Sequence, residues 1–155
     1  MSPTRSDAAC AALLRAIQIE ARNAAVYESL AQLFEGVRDA VTAIFREMAA
    51  EERWHGAELE RLYRERFPPP LSPAAEPSEV IEAPDLEDPE ALIFDSMTVK
   101  QALETGLHAE EAAREFYRQE LSRTADPDLE KMYRDLAEFE EDHVRLLKGK
   151  LAEEG

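Results

Sequence analysis

The chain has 155 residues, of which 45% are hydrophobic and 34% are charged, and its formal net charge is −16. This length suits one domain with a sizeable core, and many charged residues with few glycines are typical of an all-helical protein. The strong negative charge argues against nucleic acid or an anionic membrane surface as a partner, because both would repel the protein.

The first half of the chain predicts two long helices joined by a short turn. The first runs from about residue 6 to 34, with Ser6 at the N-cap and Gly36 as the C-terminal stop. The second runs from about residue 37 to 66. In both, apolar residues recur every three or four positions, which is the spacing of a helix face buried in a bundle. A short connection predicts that the two helices are antiparallel neighbours.

The second half of the chain repeats this arrangement. The third helix runs from about residue 98 to 122, and Thr98 with Gln101 forms the pattern of a capping box at its start. The fourth runs from about residue 126 to 153. Its first turn contains Pro127, where the missing backbone N–H costs nothing.

A proline-rich segment separates the two halves. Residues 67–97 contain seven of the nine prolines, so they cannot form one helix, yet they are long enough to cross a bundle from end to end. We therefore predict a single domain over residues 1–155. Its fold is an all-α four-helix bundle in which two antiparallel helical hairpins are joined by a long crossover.

A polar motif occurs once in each half. A lone glutamate on the first helix of the hairpin is followed on the second helix by Glu-x-x-His. The six residues are Glu20, Glu52, His55, Glu110, Glu140 and His143. All lie near the middle of their helices, at stripe positions where the pattern would otherwise place Leu or Val. Residues three apart share a helix face, so the Glu and His of each motif can bind the same ion.

Four carboxylates in one buried layer predict a metal site. A buried, unpaired carboxylate costs several kcal/mol, and four of them would also repel one another unless cations neutralise them. Four carboxylates and two imidazoles are the ligand set of the di-iron carboxylate bundles. Mixed oxygen and nitrogen ligands suit iron or manganese better than zinc or calcium. We therefore predict two iron ions per chain, with manganese as the alternative.

Other residues near the motif have more than one reading. Tyr27 and Tyr117 each follow a lone glutamate by seven residues, and they are either core aromatics or hydroxyl groups that orient a ligand or a bound oxygen species. Glu51 and Glu141 adjoin ligand positions, and we expect both to point into solvent. Trp54 lies on the helix flank, where we expect it in packing or in a subunit interface.

The cysteine count and the hydropathy pattern bear on the compartment. The single Cys10 cannot form an internal disulfide or a cysteine-based zinc or iron site. No apolar stretch approaches the roughly 20 residues of a membrane span, and the N-terminus lacks the apolar region of a signal peptide. We therefore expect a cytoplasmic protein.

The motif segments resemble the rubrerythrin branch of the ferritin-like superfamily. The segments that carry the resemblance are residues 19–27, 50–55, 110–117 and 140–143. The resemblance covers all four helices and omits the crossover. It implies that Glu52 and Glu140 bridge two irons. The other four ligands would each bind one iron, Glu20 and Glu110 as terminal carboxylates and His55 and His143 as caps.

The resemblance also implies a reaction. Members of the family react a di-ferrous centre with dioxygen or hydrogen peroxide, as ferroxidases, peroxidases or iron-storage proteins. Typical rubrerythrins carry a four-cysteine rubredoxin domain and an extra glutamate three residues after the helix-three ligand. This sequence has one cysteine, and it has Ala113 at the matching position. Peroxidase turnover would therefore need an external electron donor, and a simpler six-ligand site is favoured.

Three hypotheses about function follow. The first is a ferroxidase or peroxidase type of oxidoreductase, and the second is an iron-binding storage or delivery protein without sustained catalysis. The third is a metal-free helical scaffold. A homodimer or larger homo-oligomer is expected from the resemblance to the family.

Overall fold

The computed structural model describes residues 5–67 and 97–154. They form four helices: α1 (Arg5–Leu33), α2 (Asp39–Arg66), α3 (Val99–Arg123) and α4 (Pro127–Glu154). The prediction of an all-α protein with four helices is confirmed for this part of the chain. Except for its two end residues, the predicted crossover lies outside the described residues. The single-domain assignment over residues 1–155 stays a prediction.

The four helices form two hairpins. Helix α1 packs along α2, α3 packs along α4, and α1 also touches α3. The apolar residues form two clusters on either side of a polar layer. One cluster surrounds Tyr27, Phe45 and Leu103, and the other surrounds Leu59 and Tyr117. The sequence therefore places its polar motif between two cores, where water is excluded.

The turns between the helices differ slightly from the predicted ones. The N-cap at Ser6 is wrong, because the helical backbone of α1 already includes Arg5. Gly36 does end the first hairpin helix, since it adopts a φ of 78°, which only glycine adopts readily. At the start of α4, Asp126 Oδ1 accepts hydrogen bonds from the backbone N–H groups of Asp128 at 2.9 Å and Leu129 at 3.3 Å. This cap satisfies donors that the first helical turn leaves free.

The capping box of α3 supports a first prediction. Thr98 Oγ1 accepts from the Gln101 backbone N–H at 3.1 Å, and the Thr98 backbone N–H donates to Gln101 Oε1 at 2.8 Å. We expect Thr98→Ala to lower the free energy of unfolding by about 1 kcal/mol, measured by urea denaturation. Thr105→Ala is the matched control, because that hydroxyl only donates to the carbonyl of Gln101 within the helix. Equal losses in the two variants would contradict a capping role.

The predicted inward stripes are mostly buried, with two informative exceptions. His55 is only half-buried, although it occupies the same place in its motif as the buried His143. On α4 the spacing of the apolar stripe predicts that Met132 points inward between Leu129 and Leu136, but Met132 is half-buried and Tyr133, which is 1% exposed, takes the buried position. Among the described helices, none has a stretch that is both long and apolar enough to cross a membrane.

Candidate metal centre

Four of the six predicted ligands converge at the centre of the bundle. One ligand atom each from Glu52, Glu110, Glu140 and His143 lies within 4.8 Å of all the others. The three glutamates are 0% exposed and the histidine is 4% exposed. They come from α2, α3 and α4, so this group depends on the packing of both hairpins.

The other two predicted ligands flank this group. Glu20 on α1 is fully buried and lies close enough to Glu52 for the two carboxylates to repel each other. His55 packs edge-on against Phe139, with ring centroids 4.1 Å apart, and against Trp54 at 5.2 Å. Trp54 is 62% exposed, so its predicted role in packing within this chain is limited to that contact. The structure thus places Glu20 beside the four-residue group and His55 on its edge.

The two tyrosines link the hairpins through the lone glutamates. The Tyr27 hydroxyl on α1 donates to Glu110 Oε1 on α3 at 2.6 Å. Reciprocally, the Tyr117 hydroxyl on α3 donates to Glu20 Oε1 on α1 at 2.8 Å. Both rings are buried in the apolar clusters. Each tyrosine is therefore placed to act both as a core aromatic and as a hydroxyl that orients a ligand. Gly106 makes room for Tyr27, because a Cβ there would lie 3.1 Å from its Cε1 atom.

Burial makes two acidic groups of this layer difficult to ionise. It raises the pKa of Glu20 to about 7, and it raises the pKa of Glu52 well above the usual range, with repulsion from Glu20 and Glu110 adding to the effect. Burial lowers the pKa of His55. Burial also opposes ionisation of His143, but Glu110 and Glu51 outweigh it and raise the pKa of that imidazole. Without a cation, the layer therefore retains protons near neutral pH.

The residues present fit a pair of transition-metal ions. Seven buried ligand atoms of the layer have no hydrogen-bond partner within the part of the chain that the structure describes. They are Glu20 Oε2, both carboxylate oxygens of Glu52 and of Glu140, Glu110 Oε2 and His55 Nδ1. Buried polar atoms are nearly always paired, so this many together indicate a missing charged partner. Carboxylate oxygens with imidazole nitrogens suit iron or manganese.

The side chain of Glu51 is 36% exposed, but it also contacts the site, which the prediction did not include. Its Oε2 atom lies 3.3 Å from Nε2 of His143, whereas the other ring nitrogen, Nδ1, faces Glu52 and Glu110. The equivalent residue in the second motif is Phe139, which contacts both histidine rings, with centroids 4.1 Å from His55 and 4.4 Å from His143. One histidine therefore has a carboxylate behind it and the other has an aromatic ring. Comparing the residue before Glu52 with the residue before Glu140 reveals this difference in the sequence itself.

Glu141 points away from the ligands as predicted, but it is ion-paired at the surface. Its carboxylate lies 2.6 Å from Arg114 on α3, and the side chain is 27% exposed. It also approaches Arg118, and these ion pairs lower its pKa, with Arg114 making the largest contribution. The residue joins α3 to α4 beside the metal layer. The sequence pattern missed it because ion pairs between helices depend on how the helices are rotated.

Comparisons with known proteins agree with this geometry. The sequence model of the rubrerythrin family matches residues 11–151, a range that includes all six predicted ligands. The crystal structure of an uncharacterized conserved protein from Magnetospirillum magnetotacticum MS-1 is similar, with a TM-score of 0.71 and 26% sequence identity over 92% of each chain. The comparison with curated proteins found no match. The ferritin-like bundle predicted from the sequence is confirmed by the structural similarity.

Proposed function

Because the chain belongs to the rubrerythrin family, we propose that it is a di-iron carboxylate protein that oxidises Fe(II) with dioxygen or hydrogen peroxide. The main support is the set of buried carboxylate and imidazole atoms at the centre of the bundle that lack partners among the described residues. Such a cluster is costly in a metal-free scaffold, because taking several charged carboxylates out of water costs free energy. A cation pair would neutralise it.

The proposal assigns the ligands to two ions. One ion is held by Glu52, Glu110, Glu140 and His143, the four residues that converge in the structure. The second is held by Glu20 and His55 together with the shared Glu52 and Glu140. When bound, the metals would supply the redox chemistry, in which Fe(II) gives up electrons and dioxygen or hydrogen peroxide takes them.

The protein's own groups fix the geometry of this layer. Tyr117 and Tyr27 each donate a hydrogen bond to one oxygen of a lone glutamate and leave the other oxygen available to a metal. Complete burial of the four glutamates keeps bulk water away from the ligands. Oriented ligands in a dry pocket are what metal-dependent redox sites require.

A storage or delivery role is the second candidate. Ala113 is buried next to the layer, at the position where typical rubrerythrins have an extra carboxylate. An apolar methyl group there gives an ion no alternative ligand, which favours simple ferroxidase or storage behaviour over peroxidase cycling. The mass in solution discriminates between these functions, because storage favours a large hollow assembly and a redox enzyme favours a dimer or monomer.

The remaining partners are also proposals. Peroxidase turnover would draw electrons from an external donor, because the single cysteine of this sequence cannot form a four-cysteine iron site. We further propose a homodimer or larger homo-oligomer, and a cytoplasmic location. Size-exclusion chromatography with light scattering tests the first, and fractionation of cells tests the second.

Metal content and Fe(II) oxidation test the proposed function directly. The protein is loaded with Fe(II) without oxygen, desalted and subjected to elemental analysis, and we expect two irons per chain. Dioxygen or hydrogen peroxide is then added while the remaining Fe(II) is measured with a chromogenic chelator. Repeated oxidation of added Fe(II) supports an enzyme, whereas one round followed by accumulation supports storage. A protein that retains no transition metal would overturn both and favour the scaffold.

The contact between Glu51 and His143 supports a prediction about affinity. A carboxylate behind a metal-binding imidazole orients the ring and makes it a stronger ligand, and its loss typically weakens metal binding about 10- to 100-fold. We expect Glu51→Gln to do so in competition titrations against a chelator. Glu47→Gln, on the exposed face of the same helix, is the control and should bind like the wild type. Unchanged affinity in Glu51→Gln would show that this contact does not support the ligand.

A further inference from the structure

The ligand atoms of the proposed metal layer are not open to solvent. The four glutamates are 0% exposed, and the unpartnered ligand atoms of the layer are all buried. The apolar clusters around Tyr27 and Tyr117 close the layer from above and below. Fe(II) must therefore enter across a flank between two neighbouring helices, and a side chain must move to let it pass.

Three of the four flanks are bridged at the level of the layer. Between α1 and α2, Arg53 forms an ion pair with Glu28, and between α3 and α4, Arg114 pairs with Glu141. Both arginines place a positive charge where an incoming cation would pass, which opposes its entry. Between α1 and α3, the two tyrosines donate hydrogen bonds across the flank, and Val26 beside one of them is 1% exposed.

The flank between α2 and α4 is different. The backbones of these helices come close at fewer places than those of α1 and α3. Among the described residues, arginines link the two helices at the ends of the flank, where Arg38, the N-cap of α2, pairs with Glu154 and Arg66 pairs with Asp128. Both arginines lie about four helical turns from Glu52 along the chain, so neither places its charge beside the layer.

Glu51 is placed to receive a cation on this flank. Its side chain is 36% exposed, and its Oε2 atom lies 3.3 Å from Nε2 of the predicted ligand His143. No lysine or arginine of the described residues forms an ion pair with Glu51, so its charge is not neutralised there. In a protein with a net charge of −16, such a carboxylate attracts cations, and carboxylate oxygens are suitable ligands for them. Glu51 thus reaches solvent on one side and a metal ligand on the other.

Phe139 covers the layer on the same flank. Its ring is half-buried and contacts both predicted histidine ligands, with centroids 4.1 Å from His55 on α2 and 4.4 Å from His143 on α4. An ion that passes from Glu51 to the layer would meet this ring between the two imidazoles. A half-buried ring loses less apolar contact on turning outward than a fully buried one. Phe139 is therefore suited to act as a gate.

We propose that Fe(II) enters the metal layer between α2 and α4, where Glu51 is its first ligand and the ring of Phe139 turns aside to let it pass. The inference rests on the proposed di-iron function, and it adds a kinetic role to the orienting contact between Glu51 and His143. The two roles differ in what they change. An orienting carboxylate slows the release of a bound ion, whereas an entry carboxylate speeds its capture.

Rapid-mixing measurements of Co(II) binding to the metal-free full chain test this route. Trp54 is the only tryptophan of the sequence, and its ring centroid lies 5.2 Å from that of His55, so its fluorescence should be quenched when Co(II) reaches that imidazole. The visible absorption of bound Co(II) gives an independent signal. We expect Glu51→Gln to lower the association rate constant about tenfold or more at low salt, and added salt should reduce this difference from the wild type.

Glu141→Gln is the matched control for Glu51→Gln. Each of the two carboxylates adjoins a predicted bridging glutamate in the sequence, but Glu141 lies on the flank between α3 and α4. Its replacement should leave the association rate constant unchanged, because the proposed route does not cross that flank.

Removal of the Phe139 ring tests the gate. Phe139→Ala should speed both the association and the dissociation of Co(II) several-fold, because a gate limits passage in both directions. Phe116→Ala is its control, since that half-buried ring contacts Tyr117 rather than a histidine, and it should bind and release Co(II) at the wild-type rates. Helical circular dichroism confirms that each variant folds.

The outcomes separate the route from the metal site itself. A wild-type protein that binds no Co(II) would overturn both the proposed site and its route. If Glu51→Gln raised only the dissociation rate, or if Glu141→Gln slowed association equally, the route would be overturned and the metal site would stand. Unchanged rates in Phe139→Ala would overturn the gate.

Discussion

Loading the protein with Fe(II) under anaerobic conditions is expected to raise its thermal unfolding midpoint by roughly 10 °C. The metal-free bundle must bury four carboxylates in one layer, and six of their oxygens have no hydrogen-bond partner within the described structure. A cation pair that binds only the folded state removes that cost and adds its own binding free energy. Differential scanning calorimetry before and after loading measures the increase.

The increase should depend on pH, and its sign follows from the raised pKa values. Above pH 4.5 the unfolded chain has lost carboxyl protons that folded Glu20, with a pKa of about 7, and folded Glu52 still hold. The unfolded state then binds fewer protons, so the metal-free protein loses about 1.4 kcal/mol of stability per pH unit for each such carboxyl. For Glu20 the loss is complete near pH 7. The raised pKa of His143 acts in the same direction, whereas the lowered pKa of His55 acts in the opposite direction below the ordinary imidazole value of 6.5.

Metal binding changes this dependence because the ligands must release their protons. The loaded protein is expected to hold its stability as the pH rises, so the difference between loaded and metal-free midpoints should grow from pH 5 to pH 7. Calcium chloride at the same concentration is the control, since calcium prefers an all-oxygen site with more ligands. A chelator-treated sample whose melting curve matches the loaded one at every pH would contradict the buried metal site.

The fold was largely predictable because its signals are local and repeated. The start of α3 at Thr98 and the end of α1 before Gly36 depend on a few neighbouring residues. The six polar positions could be recognised because each interrupts an apolar stripe. Capping and helix periodicity are properties of short segments, so both can be recognised from the sequence alone.

The parts that the sequence did not predict depend on contacts between helices. Met132 and Tyr133 are neighbours at the edge of one stripe, and packing against Tyr117 selects Tyr133 for the core. The two Glu-x-x-His motifs differ in the residue before the glutamate, but only the packing of the helices brings Phe139 beside His55 and Glu51 to His143. No local pattern encodes these features, because each depends on helix rotation and on the size of side chains from distant segments.

Replacing Glu52 by leucine is expected to have two opposite effects. Glu52 is shared by both proposed ions, so Glu52→Leu should abolish retention of both rather than of one. The same change should stabilise the metal-free protein by about 1–4 kcal/mol, because a buried carboxyl whose two oxygens accept no hydrogen bond from the described residues is replaced by an apolar side chain of similar size. Elemental analysis after loading measures the first effect, and urea denaturation of the metal-free protein measures the second.

Glu47→Leu is the matched control for this experiment. It lies on the exposed face of the same helix, so it should retain two irons and change the free energy of unfolding by less than about 0.5 kcal/mol. The pair of effects discriminates between the hypotheses better than either effect alone. A metal-free scaffold predicts stabilisation by Glu52→Leu with no change in metal content, since neither protein would bind any. A Glu52→Leu variant that retained one iron would show that Glu52 does not bridge, while a less stable metal-free variant would show that the carboxyl has a structural partner.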